Sequence, residues 1–409
     1  MFNFANDAPL FETRDVDPRT GVQADASRAF RSSNYALYVQ DDWKALSNLT
    51  LNLGLRYEYF SPISEANNRL SALILGTGDR SLLDARLEIT DQLTEPDRNN
   101  FAPRVGFAYS PKFYKFLENR AVIRGGFGIF YNRIPNVLYT NTRLNPPFFA
   151  RVGVCCGVLG GDQNSRLNYS LGTSNSPFSF AGNPNFAGGI DPVSGSLRGN
   201  NAEVYGAERR LPNSEVYKYS LDIQYELPSN FVASIGYEGS QSRNLIRIVP
   251  LNLFFRPRLS QSASSGGFAP VFFLRPDVNA SYNGMNLRVE RRFANNFQIS
   301  ANYRFAKSLD QLSYEGPGFV TNQTFPLDQR QEKGPSDYDV RHNFNLSGLY
   351  VLPSFFNKES LAGKLLGGFE ISGILTTNTG FPFTPLIGEG SANAERRVFR
   401  TDSSDFLQR

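Results

Sequence analysis

Apolar and polar residues alternate with a period of two along several long segments of the chain. In the clearest of them, Leu49 to Tyr59, leucine and tyrosine occupy the odd positions, and threonine, asparagine, glycine, arginine and glutamate occupy the even ones. This period is that of a β-strand with one apolar and one polar face. The segment keeps the period over 11 residues, whereas common globular strands have about 5 to 6. The pattern therefore predicts unusually long strands.

The alternating segments come in pairs that are joined mostly by short turns, which predicts hairpins. The predicted hairpins lie near residues 34–59, 101–131, 215–239, 283–307 and 339–376. They place about ten strands in a barrel segment that we expect to cover residues 34–383. Residues 1–33 are expected to be an irregular lead-in or loop, and residues 384–409 the start of a truncated extracellular loop.

The connections between hairpins are long and rich in Gly, Pro, Ser and Asn. They cover residues 61–100, 132–214, 241–281 and 308–337. Loops of this length count against a compact soluble domain, but outer-membrane barrels combine short periplasmic turns with long extracellular loops. The pattern thus predicts an all-β fold, a transmembrane antiparallel up-and-down β-barrel. A soluble β-sandwich or adhesin is the alternative, since alternation alone also occurs there.

Aromatic residues on the apolar phase concentrate at both ends of the predicted strands, as expected for a wall that crosses two membrane interfaces. The long-loop ends carry Tyr57, Tyr59, Tyr131, Tyr217, Tyr237 and Tyr303, and the short-turn ends carry Trp43, Tyr109, Tyr225 and Tyr350. Asp41 departs from the pattern because it falls on the apolar phase between Val39 and Trp43. We expect a bulge there, or a strand end that already lies in the periplasmic interface.

The polar phase of the predicted strands carries charges of both signs among small and amide residues. Such a mixture suits a wide, water-filled lumen better than the filled interior of a small barrel. We therefore predict that these charged side chains face the lumen. They are Arg56, Glu58, Arg104, Arg124, Lys218, Asp222, Arg288, Glu290, Arg304 and Arg341.

The composition excludes several classes of function. The 409 residues carry 42 Lys and Arg against 38 Asp and Glu, and this net charge of +4 is spread along the chain, so no basic tract predicts a nucleic-acid partner. No apolar run approaches the roughly 18 to 20 residues of a membrane-spanning helix. The single histidine leaves little material for histidine-based catalysis or metal binding. We expect no metal and no cofactor.

Local motifs do not predict an enzyme. His342 and Asp339 lie close in sequence, but no nucleophile elbow, P-loop or metal-ligand spacing accompanies them. The glycine-rich stretch Gly125 to Gly128 lies inside an alternating segment, which favours a strand over a phosphate loop. The adjacent Cys155 and Cys156 cannot link distant parts of the chain. A vicinal disulfide, a ligand-contacting pair, a pair without a special role and partners for cysteines outside this fragment all stay open.

The connection at residues 132–214 is the best candidate for ligand recognition, because exposed loops on a rigid scaffold commonly carry binding. It combines aromatic residues with many Asn, Gly and Ser residues, which suits stacking on sugars or peptides. The alternative is a loop whose aromatic residues pack on their neighbours. The candidate contacts are Phe148, Phe149, Tyr169, Phe178 and Tyr205.

Several segments closely resemble barrel strands of TonB-dependent outer-membrane receptors, especially those of the Oar-like branch. The segments are YVQDDW (Tyr38 to Trp43), LTLNLGLRYEY (Leu49 to Tyr59), FAPRVGFAY (Phe101 to Tyr109), VIRGGFGIFY (Val122 to Tyr131), DVRHNFNLSGLYVLP (Asp339 to Pro353) and GGFEISGILTTNTGFPF (Gly367 to Phe383). The resemblance implies a barrel of about 22 strands that is closed by a plug domain in the outer membrane of a Gram-negative bacterium. It also implies uptake of a scarce oligosaccharide, peptide or metal chelate with energy delivered through the TonB complex.

The sequence departs from the family pattern, since it shows no signal peptide, TonB-box segment, plug or aromatic terminal strand. We therefore interpret the chain as an internal fragment of the barrel, with outer-membrane lipid, the plug, the TonB complex and an unknown small ligand as partners. On strand phase alone, plug contact is predicted for Arg56, Arg104, Arg124, Arg288 and Arg304. Two rival functions remain: a passive porin that conducts without TonB, and a surface adhesin or structural β protein.

Overall fold

The structure is a computed structural model that describes residues 11–19, 23–78, 81–82, 84–155, 202–251, 268–313, 329–353, 360–361 and 368–383. Residues 384–409, the candidate contacts Tyr169 and Phe178, and Cys156 lie outside the described residues. The strands are β1 (Phe11–Val16), β2 (Phe30–Arg31), β3 (Asn34–Leu46), β4 (Leu49–Phe60), β5 (Ser64–Glu65), β6 (Leu70–Ile74), β7 (Arg86–Thr90), β8 (Phe101–Tyr109), β9 (Ala121–Asn132), β10 (Ala150–Cys155), β11 (Ala202–Ala207), β12 (Ser214–Leu227), β13 (Phe231–Pro250), β14 (Phe268–Ala294), β15 (Phe297–Asp310), β16 (Gly334–Pro335), β17 (His342–Val351) and β18 (Glu370–Asn378). A short helix, α1 (Asn136–Thr140), and two 3-10 turns at Asn141–Leu144 and Pro228–Asn230 complete the described elements.

Ten strands form the main path of the large sheet and follow one another in chain order once the short loop strands are set aside. Their order is β3-β4-β8-β9-β12-β13-β14-β15-β17-β18, and each neighbouring pair is antiparallel. This is the up-and-down topology that the sequence predicts, and the all-β fold is confirmed. Within the described residues the sheet does not close on itself, because β3 and β18 form its two ends.

The turn between β14 and β15 shows why the chain reverses so sharply between strands. Only Asn295 and Asn296 lie between the paired residues Ala294 and Phe297. Their φ angles are 49° and 65°, and a two-residue type I′ hairpin requires positive φ at both central positions. Asparagine enters this left-handed region more readily than most residues. The asparagine pair therefore fixes a tight turn at the short-turn side of the sheet.

Two expectations about the regions between hairpins are corrected. The loop expected at residues 241–281 is wrong for its described part, because β13 continues to Pro250 and β14 already begins at Phe268. Apolar residues occupy both phases there, and residues such as Ile248, Val249 and Leu274 are buried on both sides of the strand pair, so the amphipathic alternation disappears. In the expected lead-in, β1 and β2 form short strands at its middle and end.

The described parts of the long connections fold into an extracellular cap, which we define as residues 61–100, 133–155, 202–213, 245–251 and 268–278. Within it, β6 pairs with β7, and β11 adds to the outer part of β14 as a parallel strand, which departs from the purely antiparallel arrangement predicted. The buried core of the cap contains Ile63, Leu70, Ala72, Leu93, Tyr139, Ala207, Leu211, Ile248 and Leu274. Each fully buried leucine contributes about 1.5–3 kcal/mol to stability, so the cap is a folded layer.

The apolar face of the main sheet is exposed along its length instead of packing on a second layer. Leu37, Leu55, Ile223, Ile235 and Ile371 are 42–74% exposed. A contiguous apolar surface of this kind is rare on soluble monomers and is the outward face of a membrane barrel. The strands thus present one face suited to lipid and an opposite, polar face.

Asp41 breaks the alternation of β3 without distorting the strand at its own position. It lies in regular register opposite Leu53, and the irregularity of β3 comes later, between Trp43 and Leu46. The bulge expected at Asp41 therefore lies nearer the short turn. Asp41 is two residues from Trp43, the aromatic residue expected at the periplasmic interface.

Candidate functional site

The polar face of the main sheet is the candidate functional site, because it gathers charged side chains from several strands onto one surface. The register places Arg104 of β8, Gly128 of β9 and Lys218 of β12 in one row across the sheet. A second row, nearer the short turns, contains Arg124 of β9 and Asp222 of β12. Since successive side chains of a strand point to opposite faces, both rows lie on the face opposite the exposed leucines and isoleucines.

Two pairs of predicted lumen residues neutralise each other on this face. Arg56 Nε lies 2.8 Å from Glu58 Oε1, two residues along the same strand. Arg288 forms an ion pair with Glu290 in the same i, i+2 arrangement on β14. Because each arginine already has its carboxylate, these positions present little uncompensated charge to a passing solute.

Arg124, Asp222 and Arg304 occupy the part of the polar face nearer the short turns. Arg124 Nη1 donates a hydrogen bond of 3.2 Å to Gln224 Oε1. Asp222 lies directly opposite Arg124 in register, and Arg304 lies opposite Asn286. The charges of this region are therefore mixed in sign and interleaved with amides, as predicted for a wet surface.

Arg341 and His342 lie at the outer rim, where β17 begins. Arg341 Nη2 is 3.5 Å from an Asp339 oxygen, so this predicted lumen residue sits just before the strand and not along the wall. His342 Nδ1 shares a 2.7 Å hydrogen bond with Tyr303 Oη, and its ring centroid lies 5.1 Å from that of Phe305. These contacts give the histidine a packing role between two strands.

Arg104 and Lys218 differ from the other charges because both lie over one aromatic ring. The guanidinium carbon of Arg104 is 4.6 Å from the ring centroid of Phe130, and Lys218 Nζ is 5.4 Å from it. The ring covers Gly128, where an added Cβ would come within 3.2 Å of it. Along the described strands and loops, neither Arg104 nor Lys218 forms an ion pair with a carboxylate. We call Arg104, Phe130 and Lys218 the cation cluster.

The cation cluster borders a cavity of about 490 Å³ on the polar face. Glu238 of β13 and Tyr282 of β14 border the same cavity from the other side, and Tyr282 Oη donates a 3.2 Å hydrogen bond to Glu238 Oε1. Small-molecule sites have volumes of roughly 300–1,000 Å³. The cavity therefore has the size of a ligand site, with cations at one end and an acceptor at the other.

Phe130 and Tyr282 are site residues that the sequence analysis missed. The signal for Phe130 was present, because it is an aromatic residue on the polar phase of β9, where its neighbours are Arg124, Gly126 and Gly128. An aromatic ring beside glycines on a wet face indicates a packing or binding role. Tyr282 falls between the loop expected at residues 241–281 and the hairpin predicted near residues 283–307, so it was assigned to neither phase.

Of the described loop candidates, Phe148 and Phe149 are packed inside the cap and Tyr205 is half-buried. Phe149 is 1% and Phe148 8% exposed, and the Arg19 guanidinium carbon lies 4.8 Å from the Phe148 ring centroid. The ring of Tyr205 stacks on Phe272 at 5.1 Å. The expectation of surface ligand contacts is wrong for Phe148 and Phe149, because their rings fill the interior, and the packing alternative is favoured.

Glu65 organises the junction between the lead-in and the cap. Its carboxylate accepts hydrogen bonds from the backbone N–H groups of Ala29 at 3.0 Å, Asn67 at 2.9 Å and Arg69 at 2.8 Å. Burial works to raise the pKa of Glu65, but these three N–H donors and the nearby Arg28 charge outweigh it and hold the pKa below its ordinary value of 4.5. The side chain is 3% exposed, so the bonds are shielded from water.

The described residues contain no helix with the length and apolar content that crossing a membrane requires. In the same ranges, no group of three or more His, Cys, Asp or Glu side chains is placed to hold a metal ion. Cys155 ends β10, opposite Phe11 in register. Its neighbour Cys156 lies outside the described residues, so the interpretations of the cysteine pair stay predictions.

The match to a known family decides what kind of sheet this is. Residues 16–405 match the family described as "Outer membrane beta barrel domain". The chain belongs to this family. A member of the outer membrane beta-barrel family is located in the outer membrane of a Gram-negative bacterium, and the exposed apolar face of the main sheet is the face that meets lipid.

Solved structures with a similar arrangement are outer-membrane transporters and receptors. The chain is similar to the outer membrane transporter YddB from Escherichia coli, with 12% identity over 88% of this chain and 35% of that one and a TM-score of 0.48. It is similar to FpvA of P. aeruginosa, solved with bound pyoverdines, at 11% identity over 91% of this chain and 31% of that one, with a TM-score of 0.44. The chain thus spans about a third of the length of these structures. No curated protein sequence matches the chain significantly.

Proposed function

We propose that this chain forms part of the wall of a TonB-dependent outer-membrane transporter that takes up a scarce ligand. The complete transporter would add further strands, a plug that closes the lumen and contact with the TonB complex. The transported ligand would be an oligosaccharide, a peptide or a metal chelate. The bacterial structures similar to this chain, which include a transporter and a pyoverdine-bound receptor, are consistent with this class.

The proposal rests on one observation: the two faces of the main sheet differ in polarity. The outer face exposes Leu37, Ile235 and similar residues, and the inner face holds charges, amides and a cavity of ligand size. A lumen with a shaped, charged cavity in its wall supports selective passage more than simple leakage. The folded cap adds a layer through which a ligand would enter.

The plug is proposed to contact the part of the polar face nearer the short turns. Arg124, Asp222, Arg288 and Glu290 border a second cavity there, of about 180 Å³. Its mixture of charges suits a protein surface with complementary ion pairs. Arg56 and Arg304 stay candidates for plug contact on strand phase alone. Arg104 stays a candidate on the same ground, and its guanidinium carbon also lies over the ring of Phe130.

Dependence of uptake on TonB tests the proposal. Cells that express the full-length receptor from its own locus, cells that lack it and cells that lack TonB would be given radiolabelled iron chelates, peptides and oligosaccharides. A transporter internalises at least one of these classes only when both receptor and TonB are present. TonB-independent uptake would indicate a passive porin, and surface retention without internalisation would indicate an adhesin.

A further inference from the structure

The cation cluster carries two positive charges, and no carboxylate of the described wall forms an ion pair with either of them. Of the predicted arginines nearer the short turns, Arg288 is paired with Glu290 and Arg124 is bonded to the amide of Gln224. Arg104 and Lys218 have an aromatic ring between them instead. A ring face attracts cations but does not neutralise them. The two positive charges are therefore available to a mobile anion.

The sheet geometry brings these two charges within reach of one ligand. Arg104 and Lys218 belong to strands that flank β9 on either side, so their backbones are roughly 10 Å apart, twice the strand spacing. Both side chains lean over Phe130, which stands above the intervening Gly128. The absence of a Cβ at Gly128 gives the ring its place, and the ring in turn restricts two long and otherwise mobile side chains. An anion beside Phe130 meets both cations in a prearranged position.

We infer that the cation cluster binds the carboxylate, or a similarly sized anionic group, of a small solute in the lumen. Arg104 and Lys218 supply the charge-assisted hydrogen bonds, and Phe130 is a positioning residue that holds them. The inference deepens the proposed function, because it names an anionic class of transported solute. Plug carboxylates are the other source of such a group, and the test below separates the two.

The opposite end of the cavity limits the solute further. Glu238 accepts a hydrogen bond from Tyr282 Oη and keeps acceptor capacity towards the cavity that it borders. A second anionic group placed there would be repelled, whereas a hydroxyl or ammonium group would be accepted. The cavity therefore selects a solute with one anionic end and a hydrogen-bond donor at the other.

Binding of a fluorinated probe to the full-length receptor in detergent tests the inference. The probe is 4-fluorobenzoate, followed by the ¹⁹F NMR line width during titration, and 4-fluorobenzamide is its uncharged counterpart. The intact receptor is expected to bind the benzoate more tightly than the benzamide. The double variant R104Q/K218Q should weaken benzoate binding by about tenfold or more, because it removes both charged donors. The matched control K112Q/R120Q also removes two positive charges, from the short-turn side outside the cavity, and should change the dissociation constant less than about twofold.

Three results would overturn the inference. They are equal affinity for benzoate and benzamide, unchanged benzoate binding in R104Q/K218Q, and no benzoate binding to the intact receptor, which would mean that the plug already occupies the cluster. Inorganic phosphate should displace benzoate from the unmodified receptor, which keeps the test decisive if the double variant does not fold. F130L should weaken binding less than the double variant, and E238Q should not weaken it. This equilibrium measurement needs neither TonB nor transport, so its failure is distinct from failure of the uptake experiment.

Discussion

Glycines determine how closely aromatic rings approach the outer face of the sheet. At Gly125, an added Cβ would lie 2.6 Å from the Phe107 ring, and the ring of Tyr219 covers Gly239 even more closely. Tyr219 reaches across Gly239 so that its Oη donates a 2.9 Å hydrogen bond to Asn283 Oδ1. Tyr237 Oη donates to the same oxygen at 2.8 Å, and because the face meets lipid, a Tyr219 hydroxyl without its acceptor would be costly. The glycine thus permits a satisfied polar contact near the membrane interface.

We predict that G239A destabilises the wall by about 1–3 kcal/mol, since the new methyl group forces the Tyr219 ring off Asn283. Urea unfolding of the receptor in lipid vesicles, followed by tyrosine and tryptophan fluorescence, measures the change. The matched control is G373A, because the Cβ of residue 373 would meet nothing within 4 Å. Equal unfolding midpoints for the two variants would contradict the role given to Gly239.

Glu65 supports a prediction about pH. Its pKa is lowered in the fold, so the carboxylate stabilises the cap at pH values above its ordinary pKa of 4.5, and this stability is lost as the pH falls through the lower, folded value. We predict that E65Q weakens the junction by about 1–3 kcal/mol at neutral pH and abolishes this acid sensitivity.

Hydrogen exchange of the peptides that contain Ala29, Asn67 and Arg69, corrected for the intrinsic pH dependence, measures the effect of E65Q. The control is E88Q in the same cap, where the carboxylate pairs with Arg86 at 2.6 Å while about half exposed. Exposed ion pairs contribute little, so protection in E88Q should match that of the unmodified protein. A similar loss of exchange protection in E65Q and E88Q would contradict the stabilising role given to Glu65.

At the scale of the strand, the two faces should respond oppositely to the same substitution. Ala301 of β15 lies between Val289 and Leu346 on the outer face, and Ser300 lies between Glu290 and Ser347 on the inner face. We predict that A301R costs about 2–4 kcal/mol because it places a guanidinium against lipid, whereas S300R is tolerated opposite Glu290. The measurement is the amount of folded receptor in the outer membrane, recognised on a gel by the change of its mobility after heating. Comparable assembly of both variants would contradict the assignment of faces.

Strands were predictable where the two faces meet different environments. The segment from Leu49 to Tyr59 is an example. One of its sides meets lipid and the other meets water, so apolar and polar residues alternate along it. The outer parts of β13 and β14 were taken for a loop because both of their faces are covered by the cap, which removes the alternation. The register of this strand pair also shifts between Leu245 and Arg247, opposite the stretch that contains Pro276.

The site was predictable as a face but not as a set of partners. Strand phase groups Arg104, Arg124 and Lys218 on one face, as the register also does, since the period of a strand decides which side a residue occupies. Whether a cation pairs with a carboxylate or with a ring depends on the register between strands that are far apart in sequence, as for Arg104 and Phe130. A single sequence shows no such register, and so the cation cluster emerged only from the fold.

At the scale of the whole molecule, the most important feature is that the sheet has two edge strands, β3 and β18. Along β3 and β18, one side of the strand has no neighbour among the described residues. Unpaired backbone groups are not tolerated in lipid, and exposed edges promote association. The sheet therefore requires partner strands at both of these ends in the membrane.

The alternation of lipid and lumen along one strand is the central claim, and site-directed spin labelling of β12 tests it most directly. Single labels would be placed at each position from 216 to 225 of the receptor in lipid vesicles, and collisions with oxygen and with a water-soluble nickel chelate would be measured. The account predicts a period of two, with oxygen access highest at odd positions such as Leu221 and nickel access highest at even positions such as Lys218. Protection of the odd positions from both reagents, as in a soluble sandwich, or equal nickel access at all positions would contradict it.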